Sequence, residues 1–206
     1  MKPPSKTCKK VARTRLLISF FSIIWFCVVL TSECLAWGPT GHRWISNRAI
    51  DNLEGHFAEL FSKHRDRVVA QTMGPDYRKD RDPEESSRHF VDLERYGEFP
   101  FSLLELDYDQ LVSQLGEDTV QRNGTGLWAA HGTFNRLVEA FQRRDLEQIL
   151  LYCSDLSHYV ADLHQPFHTT ENYDGQLTGQ VGIHSRFESD LVNLYLDQVP
   201  FSEAAP

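Results

Sequence analysis

The chain has 206 residues, of which 41% are hydrophobic and 24% charged, so a disordered or low-complexity protein is excluded and one globular domain is expected. Its formal net charge of −8 argues against a basic surface that wraps nucleic acid. The first 36 residues hold six Lys/Arg and one acid, which leaves 15 basic and 28 acidic side chains, a net of −13. A chain this acidic needs cations to handle an anionic substrate, and metal ions are the first candidates.

The N-terminal segment has the pattern of a secretory signal peptide. A basic stretch precedes an apolar run of 15 residues, Leu16–Leu30, which is short for a membrane span. Small residues at the −3 and −1 positions predict cleavage after Ala36, with Trp37 as the new N-terminus. We therefore predict a signal peptide at 1–36, a domain at 37–206, and a secreted or periplasmic protein. An uncleaved membrane anchor is the alternative.

The rest of the chain is predicted to be helical. Apolar residues near the 3.6-residue period predict helices over His42 to about Val68, Phe101–Leu115, Gly126–Arg143, Leu146–His164 and His184 to about Gln198. The predicted inward face of the third helix consists of Leu127, Ala130, Phe134, Leu137, Val138 and Phe141. A long loop with one short ordered piece around His89-Phe90-Val91 is expected over Met73–Phe101, and a second loop over Glu171–Gly182. Because no alternating strand, repeat or linker is found, the fold class is all-α with a single domain.

Two helical pairs have the spacing of metal ligands. His158 and Asp162 are four residues apart on one predicted helix, as are His184 and Glu188 on another, so each pair shares a helix face. Pro166 ends the first of these helices and lets the chain turn His168 back toward it. Imidazole and carboxylate together are a ligand set that zinc accepts. A metal is also a plausible cross-link, since the chain beyond residue 36 has a single cysteine and can form no internal disulfide.

Taken with further histidines and aspartates upstream, these pairs form an ordered series of motifs. In chain order they are Trp37-Gly-Pro-Thr-Gly-His42, Asp76-Tyr77, His89-Phe90-Val91-Asp92, His158-x3-Asp162-x5-His168 and His184-x3-Glu188. The series resembles the zinc-dependent phospholipase C and S1-P1 nuclease superfamily. It runs from Trp37 to Glu188 and covers nearly all of the chain beyond the leader. The combination is specific, although no single motif is.

The resemblance implies an α-helical domain of the phospholipase C/P1 nuclease type that holds three Zn²⁺ ions. The first zinc would be bound by Asp76, His89, His158 and Asp162. The second would be bound by His168, His184 and Glu188. The third would be bound by His42 and by the free amino and carbonyl groups of Trp37, with Asp162 as a bridge. Signal cleavage would then create a metal ligand, because an acylated nitrogen is not an amine donor.

The resemblance also implies hydrolysis of a phosphodiester by zinc-activated water, with Asp76 orienting or deprotonating that water. A phospholipase C-like activity is favoured by Glu188, where the nucleases usually carry Asp, and by Tyr77, which matches an aromatic position of a choline pocket. The substrate is then a phospholipid, with Tyr77, Phe90 and Asp92 as substrate-binding residues. No protein partner is implied, and a monomer is expected.

Two alternatives stay open. Phe90 and Asp92 also match positions that stack on a base and bond its edge in the nucleases, so an S1/P1-type nuclease acting on single-stranded nucleic acid is the second hypothesis. Thr40 and Ser86 occupy two further choline-pocket positions, where the phospholipases carry an acid and an aromatic. Only 18 residues follow Glu188, so a zinc-binding but inactive homologue is the third hypothesis.

Overall fold

A computed structural model describes residues 37–198, so the predicted signal peptide and the last eight residues lie outside the described range. Ten α-helices follow one another there: α1 Pro39–Asp51, α2 Gly55–Lys63, α3 Arg65–Gln71, α4 Gly74–Arg78, α5 Tyr108–Leu115, α6 Glu117–Arg122, α7 Gly126–Arg143, α8 Leu146–Leu163, α9 Ile183–Ser185 and α10 Val192–Tyr195. Four 3₁₀ turns, Glu85–His89, Leu93–Tyr96, Pro166–His168 and Leu196–Gln198, and a π-helical turn at Arg186–Leu191 complete the set. This range contains no strand, which confirms the predicted all-α class.

Helix α8 is the centre of the domain. It begins where the side chain of Asp145 accepts a hydrogen bond from the backbone N–H of Gln148, which caps its first turn. Helix α7 packs along it, and α1, α3, α4 and the Glu85–His89 turn pack against it as well. Because so many elements meet on one helix, polar side chains on its buried face are brought close to residues from distant parts of the sequence.

Two apolar clusters hold these elements together. The first lies among α1, α2, α3, α7 and α8 and consists of Ile50, Phe61, Val68, Ala140, Ile149 and Leu150. The second lies between the Leu93–Tyr96 turn, α5 and α6 and consists of Val91, Tyr96, Leu111 and Val120. None of the helices described here combines the length and apolar content needed to cross a bilayer.

The N-terminal helical prediction was wrong in its continuity. The segment from His42 to Val68 is not one helix but parts of three, which are separated at residues 52–54 and at His64. Gly55, at the start of α2, adopts a left-handed φ of 56°, which an L side chain rarely takes and which redirects the chain. Apolar periodicity alone did not reveal these breaks, because all three helices bury residues in the first apolar cluster.

Helix boundaries between residues 73 and 125 also differ from the prediction. Helix α5 begins at Tyr108 rather than Phe101, because the Asp107 side chain caps it by accepting from the Gln110 N–H. The predicted loop contains α4 and two 3₁₀ turns, and α6 was not predicted. These elements are short, and segments of five to eight residues carry little periodic signal.

The predicted inward face of α7 was partly wrong. Phe134 is 51% exposed and Val138 is 38% exposed, whereas Thr133 and Ala140 are buried. Gly126, Thr133 and Ala140 recur every seven residues and form the buried stripe of the helix. Small residues at this spacing let α7 approach α8 closely, so the larger apolar side chains lie beside the contact rather than within it.

Replacing Leu150 by alanine tests the role of α8 as the packing centre. Leu150 is fully buried in the first cluster, so the cavity left by Leu150→Ala should lower the free energy of unfolding by about 2–5 kcal/mol. Urea denaturation of the purified protein measures this loss. Leu146→Ala, on the first turn of the same helix and partly exposed, should cost distinctly less. Equal losses for the two variants would contradict the description of the core.

Candidate metal centre

Eight buried histidine and carboxylate residues converge around the C-terminal half of α8. His158 and Asp162 lie on its buried face, as their spacing predicted. The others come from six further elements, namely His42 on α1, Asp76 on α4, His89 and His168 on two different 3₁₀ turns, His184 on α9 and Glu188 on the π-helical turn. They form three groups whose donor atoms lie within 4.8 Å of one another. These groups could each hold a metal ion.

The first group has the dimensions of a tetrahedral site. His89 Nδ1 lies 3.1 Å from His158 Nε2 and 3.6 Å from Asp76 Oδ1. Asp162 Oδ2 lies 2.9 Å from His89 Nδ1 and 3.3 Å from His158 Nε2. His158 Nε2 in turn lies 3.7 Å from Asp76 Oδ1. Ligand bonds of about 2.0–2.1 Å at tetrahedral angles place donor atoms about 3.4 Å apart. Five of the six distances among the four predicted ligands of the first zinc are thus between 2.9 and 3.7 Å, which suits ligands of one ion.

Asp162 also faces a second group through its other oxygen. Oδ1 lies 3.2 Å from Nε2 of His42, whose ring stacks on that of His158 with centroids 3.9 Å apart. His42, His158 and Asp162 thus form another set of potential metal donors. One carboxylate positioned between two donor groups is the arrangement expected of a bridging ligand.

The remaining group lies where the chain returns after α8. Glu188 Oε2 is 2.8 Å from His184 Nε2 and 3.8 Å from His168 Nε2. His168, His184 and Glu188 form the three-donor group, whereas four donors surround the first site. A three-donor group leaves a coordination position for water or substrate, as catalytic zinc sites do.

Unpaired polar atoms mark these groups as sites for a cation. Eight buried side-chain atoms in the described range make no hydrogen bond, and six of them belong to the candidate ligands. The six are both ring nitrogens of His42, Asp76 Oδ2, His89 Nε2, Asp162 Oδ1 and His168 Nε2. Three of the six, His42 Nε2, Asp162 Oδ1 and His168 Nε2, lie within 3.8 Å of another candidate donor atom. Burying polar atoms without partners is costly, so these three fit a metal as the missing partner.

Backbone carbonyls orient two of the histidines. The Nδ1–H group of His158 donates to the carbonyl of Thr72 at 2.8 Å, and that of His168 donates to the carbonyl of His89 at 2.6 Å. Each bond leaves the opposite nitrogen, Nε2, with its lone pair directed at a donor group. Because His89 belongs to the first group and His168 to the group with His184 and Glu188, the second of these bonds also links those two groups.

The electrostatics of the carboxylates follow from their histidine neighbours. Burial acts to raise the pKa of Asp162, but contacts with His158, His42 and His89 outweigh it and hold the pKa well below its ordinary value. The pKa of Glu188 is likewise lowered, because His168 and His184 outweigh the effect of burial. Both residues are therefore ionised and ready to accept a cation at neutral pH.

Two residues that the sequence reasoning missed contact the candidate ligands. Lys79, three residues after Asp76, donates to Asp76 Oδ1 at 2.7 Å and remains 22% exposed. Gln165 is fully buried and donates to Glu188 Oε2 at 3.2 Å. Only the spacing between Lys79 and Asp76 offered a sequence signal for the first contact, and none marked the second.

The predicted substrate-binding residues lie outside the donor groups. Tyr77 is 63% exposed, although it directly follows the buried Asp76. Phe90 is half-buried and packs against Gly124, where an added Cβ would lie 2.6 Å from the phenyl ring. Asp92 is half-buried, and burial together with the nearby Glu94 raises its pKa to about 6. Their roles in binding substrate stay predictions.

Trp37 is anchored to the last turn of α8, at the residue before Asp162. Its indole N–H donates to the carbonyl of Ala161 at 2.8 Å, and its ring lies 5.8 Å from that of Phe187. Gly38 follows in close contact with the C-terminal segment, since a Cβ there would lie 2.6 Å from the hydroxyl of Ser189. The first predicted residue of the mature chain is thus fixed next to Asp162, but ligation by its amino group stays a prediction.

Comparison with known proteins adds nothing to this geometry: no family model matches the chain, and neither a curated protein nor a solved structure shows detectable similarity to it.

Removing one ligand should remove metal from one group. In the chain beginning at Trp37, His168→Ala takes away a donor of the three-donor group, so native mass spectrometry should find about one fewer bound ion than in the unaltered protein. Chelation of the remaining metal should lower Tm, because ligand binding stabilises the folded state. His131→Ala, which alters an exposed histidine on α7, is the matched control and should retain every ion. Unchanged metal content in His168→Ala would refute this assignment.

Proposed function

We propose that this protein is an exported zinc-dependent phosphodiesterase of the phospholipase C/P1 nuclease type, with phospholipase C-like activity. The observation that supports it best is the set of donor-atom distances around Asp162, together with the unpaired donor atoms on the same residues. The proposal combines this geometry with the motif resemblance.

Zinc is the metal that best fits the donors. All of them are imidazole nitrogens or carboxylate oxygens, and the first group contains two of each within distances that suit four-coordination. Magnesium and calcium prefer six or more oxygen ligands, so a compact group half made of nitrogens disfavours them. We assign three zinc ions, and Nε2 of His158 can bind only one of them. Asp76, His89, His158 and Asp162 would hold the first, His168, His184 and Glu188 the second, and His42 with Asp162 and Trp37 the third.

Phosphodiester hydrolysis is the chemistry we assign to the centre. When bound, zinc supplies concentrated positive charge and activates water for attack on phosphorus. The chain has a net charge of −13 beyond residue 36, so an anionic substrate needs such a local reversal of sign. The three-donor group of His168, His184 and Glu188 offers the open coordination position that this reaction requires.

Asp76 and Lys79 have complementary parts in this scheme. Asp76 Oδ2 makes no hydrogen bond within the described structure, so it can accept a proton from water or hold that water by a hydrogen bond. Lys79 neutralises Oδ1 of the same carboxylate. A metal held at Asp76 would offset the same charge, which would leave the Lys79 ammonium able to contact a phosphate oxygen.

A phospholipid is the substrate that we favour. Tyr77 exposes most of its ring immediately beside the buried Asp76. An exposed aromatic face attracts a quaternary ammonium group, such as that of choline, through the cation–π interaction. Lipid binding would thus place the headgroup phosphate close to the residues that hydrolyse it.

Asp76→Asn separates a catalytic role from ligation alone. Hydrolysis of bis(4-nitrophenyl) phosphate should fall about 10²- to 10⁴-fold, the usual contribution of general acid–base catalysis. Metal content measured on the same sample shows the cause: an unchanged count identifies Asp76 as the base, and the loss of one ion identifies it as a ligand. Asp80→Asn, which alters an exposed acid four residues away, should retain the activity. Full activity in Asp76→Asn would contradict the mechanism.

Substrate class is tested by comparing phosphatidylcholine with single-stranded DNA at equal enzyme concentration. We expect phosphocholine release to dominate, and Tyr77→Ala to lower kcat/KM for phosphatidylcholine about 2- to 30-fold, as a cation–π contribution of about 0.5–2 kcal/mol implies. The same variant should cleave bis(4-nitrophenyl) phosphate normally, because that substrate has no ammonium group. Tyr195→Ala, at another exposed tyrosine, is the control. Preference for DNA, with activity that falls as salt rises, would favour the nuclease instead.

A further inference from the structure

A buried carboxylate behind the first donor group has no part in the function proposed so far. Glu85 is only 1% exposed and lies one turn before His89 on the 3₁₀ turn. Its Oε1 atom lies 3.6 Å from His89 Nε2, the ring nitrogen that points away from the donor group. The opposite nitrogen, Nδ1, lies among the donor atoms of Asp76, His158 and Asp162. Glu85 therefore faces the outer side of a candidate ligand.

Three other side chains hold Glu85 in this place. The hydroxyl of Tyr159 donates to Oε1, while the guanidinium groups of Arg78 and Arg88 donate to Oε2 at 3.2 Å and 3.0 Å. Arg78 is itself fixed by Asp155, to which it donates at 3.2 Å. A buried carboxylate with two cationic partners stays ionised, and the pKa of Glu85 is lowered because the hydrogen bonds from its neighbours outweigh its burial.

We propose that Glu85 is a positioning residue for the metal centre: it holds the proton of His89 on Nε2 and thereby directs the Nδ1 lone pair of His89 to the metal. Because this deepens the proposed function, it depends on that function's metal centre, though not on the identity of the substrate. Closing the gap from 3.6 Å to a hydrogen-bond distance needs a shift of well under one ångström.

The partner of His89 differs in kind from those of two other candidate ligands. His158 and His168 each donate to a neutral backbone carbonyl. A carboxylate makes the imidazole a stronger electron donor than a carbonyl does, and such outer partners contribute about 10- to 100-fold to metal affinity. His89 is also the residue whose carbonyl orients His168, so Glu85 stabilises a position that both groups share.

Glu85→Gln tests this role, with Asp155→Asn as the matched control. Both variants remove a buried negative charge that pairs with Arg78, but only Glu85 faces a candidate ligand. Zinc affinity is measured by competition with a chromophoric chelator, in a His168→Ala background so that the three-donor group does not contribute. We expect Glu85→Gln to weaken zinc binding by about 10- to 100-fold. Asp155→Asn should weaken it clearly less, because Asp155 reaches Glu85 only through Arg78, while Arg88 and Tyr159 still hold the carboxylate.

A second variant, Glu85→Asp, covers the case in which Glu85→Gln does not fold. If Glu85→Gln fails to fold, as judged by circular dichroism, Glu85→Asp retains the charge but withdraws the carboxylate, and should weaken zinc binding to a smaller extent. Equal affinities in the unaltered protein and Glu85→Gln would overturn the role of Glu85, as would an equal loss in Asp155→Asn.

Zinc affinity and phosphodiesterase activity are measured separately, so failure of the proposed function is distinguishable from failure of the role of Glu85. Because affinity is measured without substrate, absence of phosphodiesterase activity with normal zinc binding would contradict the function and leave the role of Glu85 intact. An unaltered protein that binds no zinc would overturn both.

Discussion

One buried carboxylate organises the centre of this protein. Asp162 has no solvent exposure, and its two oxygens face His42, His89 and His158, which come from three separate elements. A buried ionised carboxylate is costly unless charges or hydrogen bonds compensate it. The histidines compensate part of this cost, but Oδ1 still lacks a hydrogen bond. The packing of α1 and the Glu85–His89 turn onto α8 therefore creates a potential cation site, and we expect metal to stabilise the fold itself.

The site is layered, and the layers differ in charge. Carboxylates and imidazoles form the inner layer, and a second layer of cations pairs with the acids: Lys79 contacts Asp76, while Arg78 and Arg88 contact Glu85. In a chain with a strong excess of acidic residues, these cations limit the local repulsion. The carbonyls of Thr72 and His89 leave Nε2 of His158 and His168 free to bind a metal, so we expect metal affinity to depend also on groups outside the donor set.

Much of the donor set could be predicted because helical spacing is a local property. Four residues make nearly one turn, so His158 and Asp162 had to share a face wherever α8 lay. The long helices α7 and α8 were found for the same reason. His184 and Glu188 also meet, but the predicted helix from His184 to about Gln198 was wrong in its continuity, since it is divided into α9, a π-helical turn, α10 and a 3₁₀ turn. Short elements such as α4 and α6 were missed, since five or six residues give no clear period.

The sequence by itself determined an all-helical domain and the residue types and spacings of the donor pairs, because helix periodicity acts over a few neighbours. Only the tertiary structure decided that His42, Asp76 and His89 meet Asp162, since their distances depend on how separate helices pack. It also decided which other residues contact the donors, since no sequence motif indicates them. Glu85 and Gln165 are ordinary residues in the sequence, and they act on the site only because the fold buries them against His89 and Glu188.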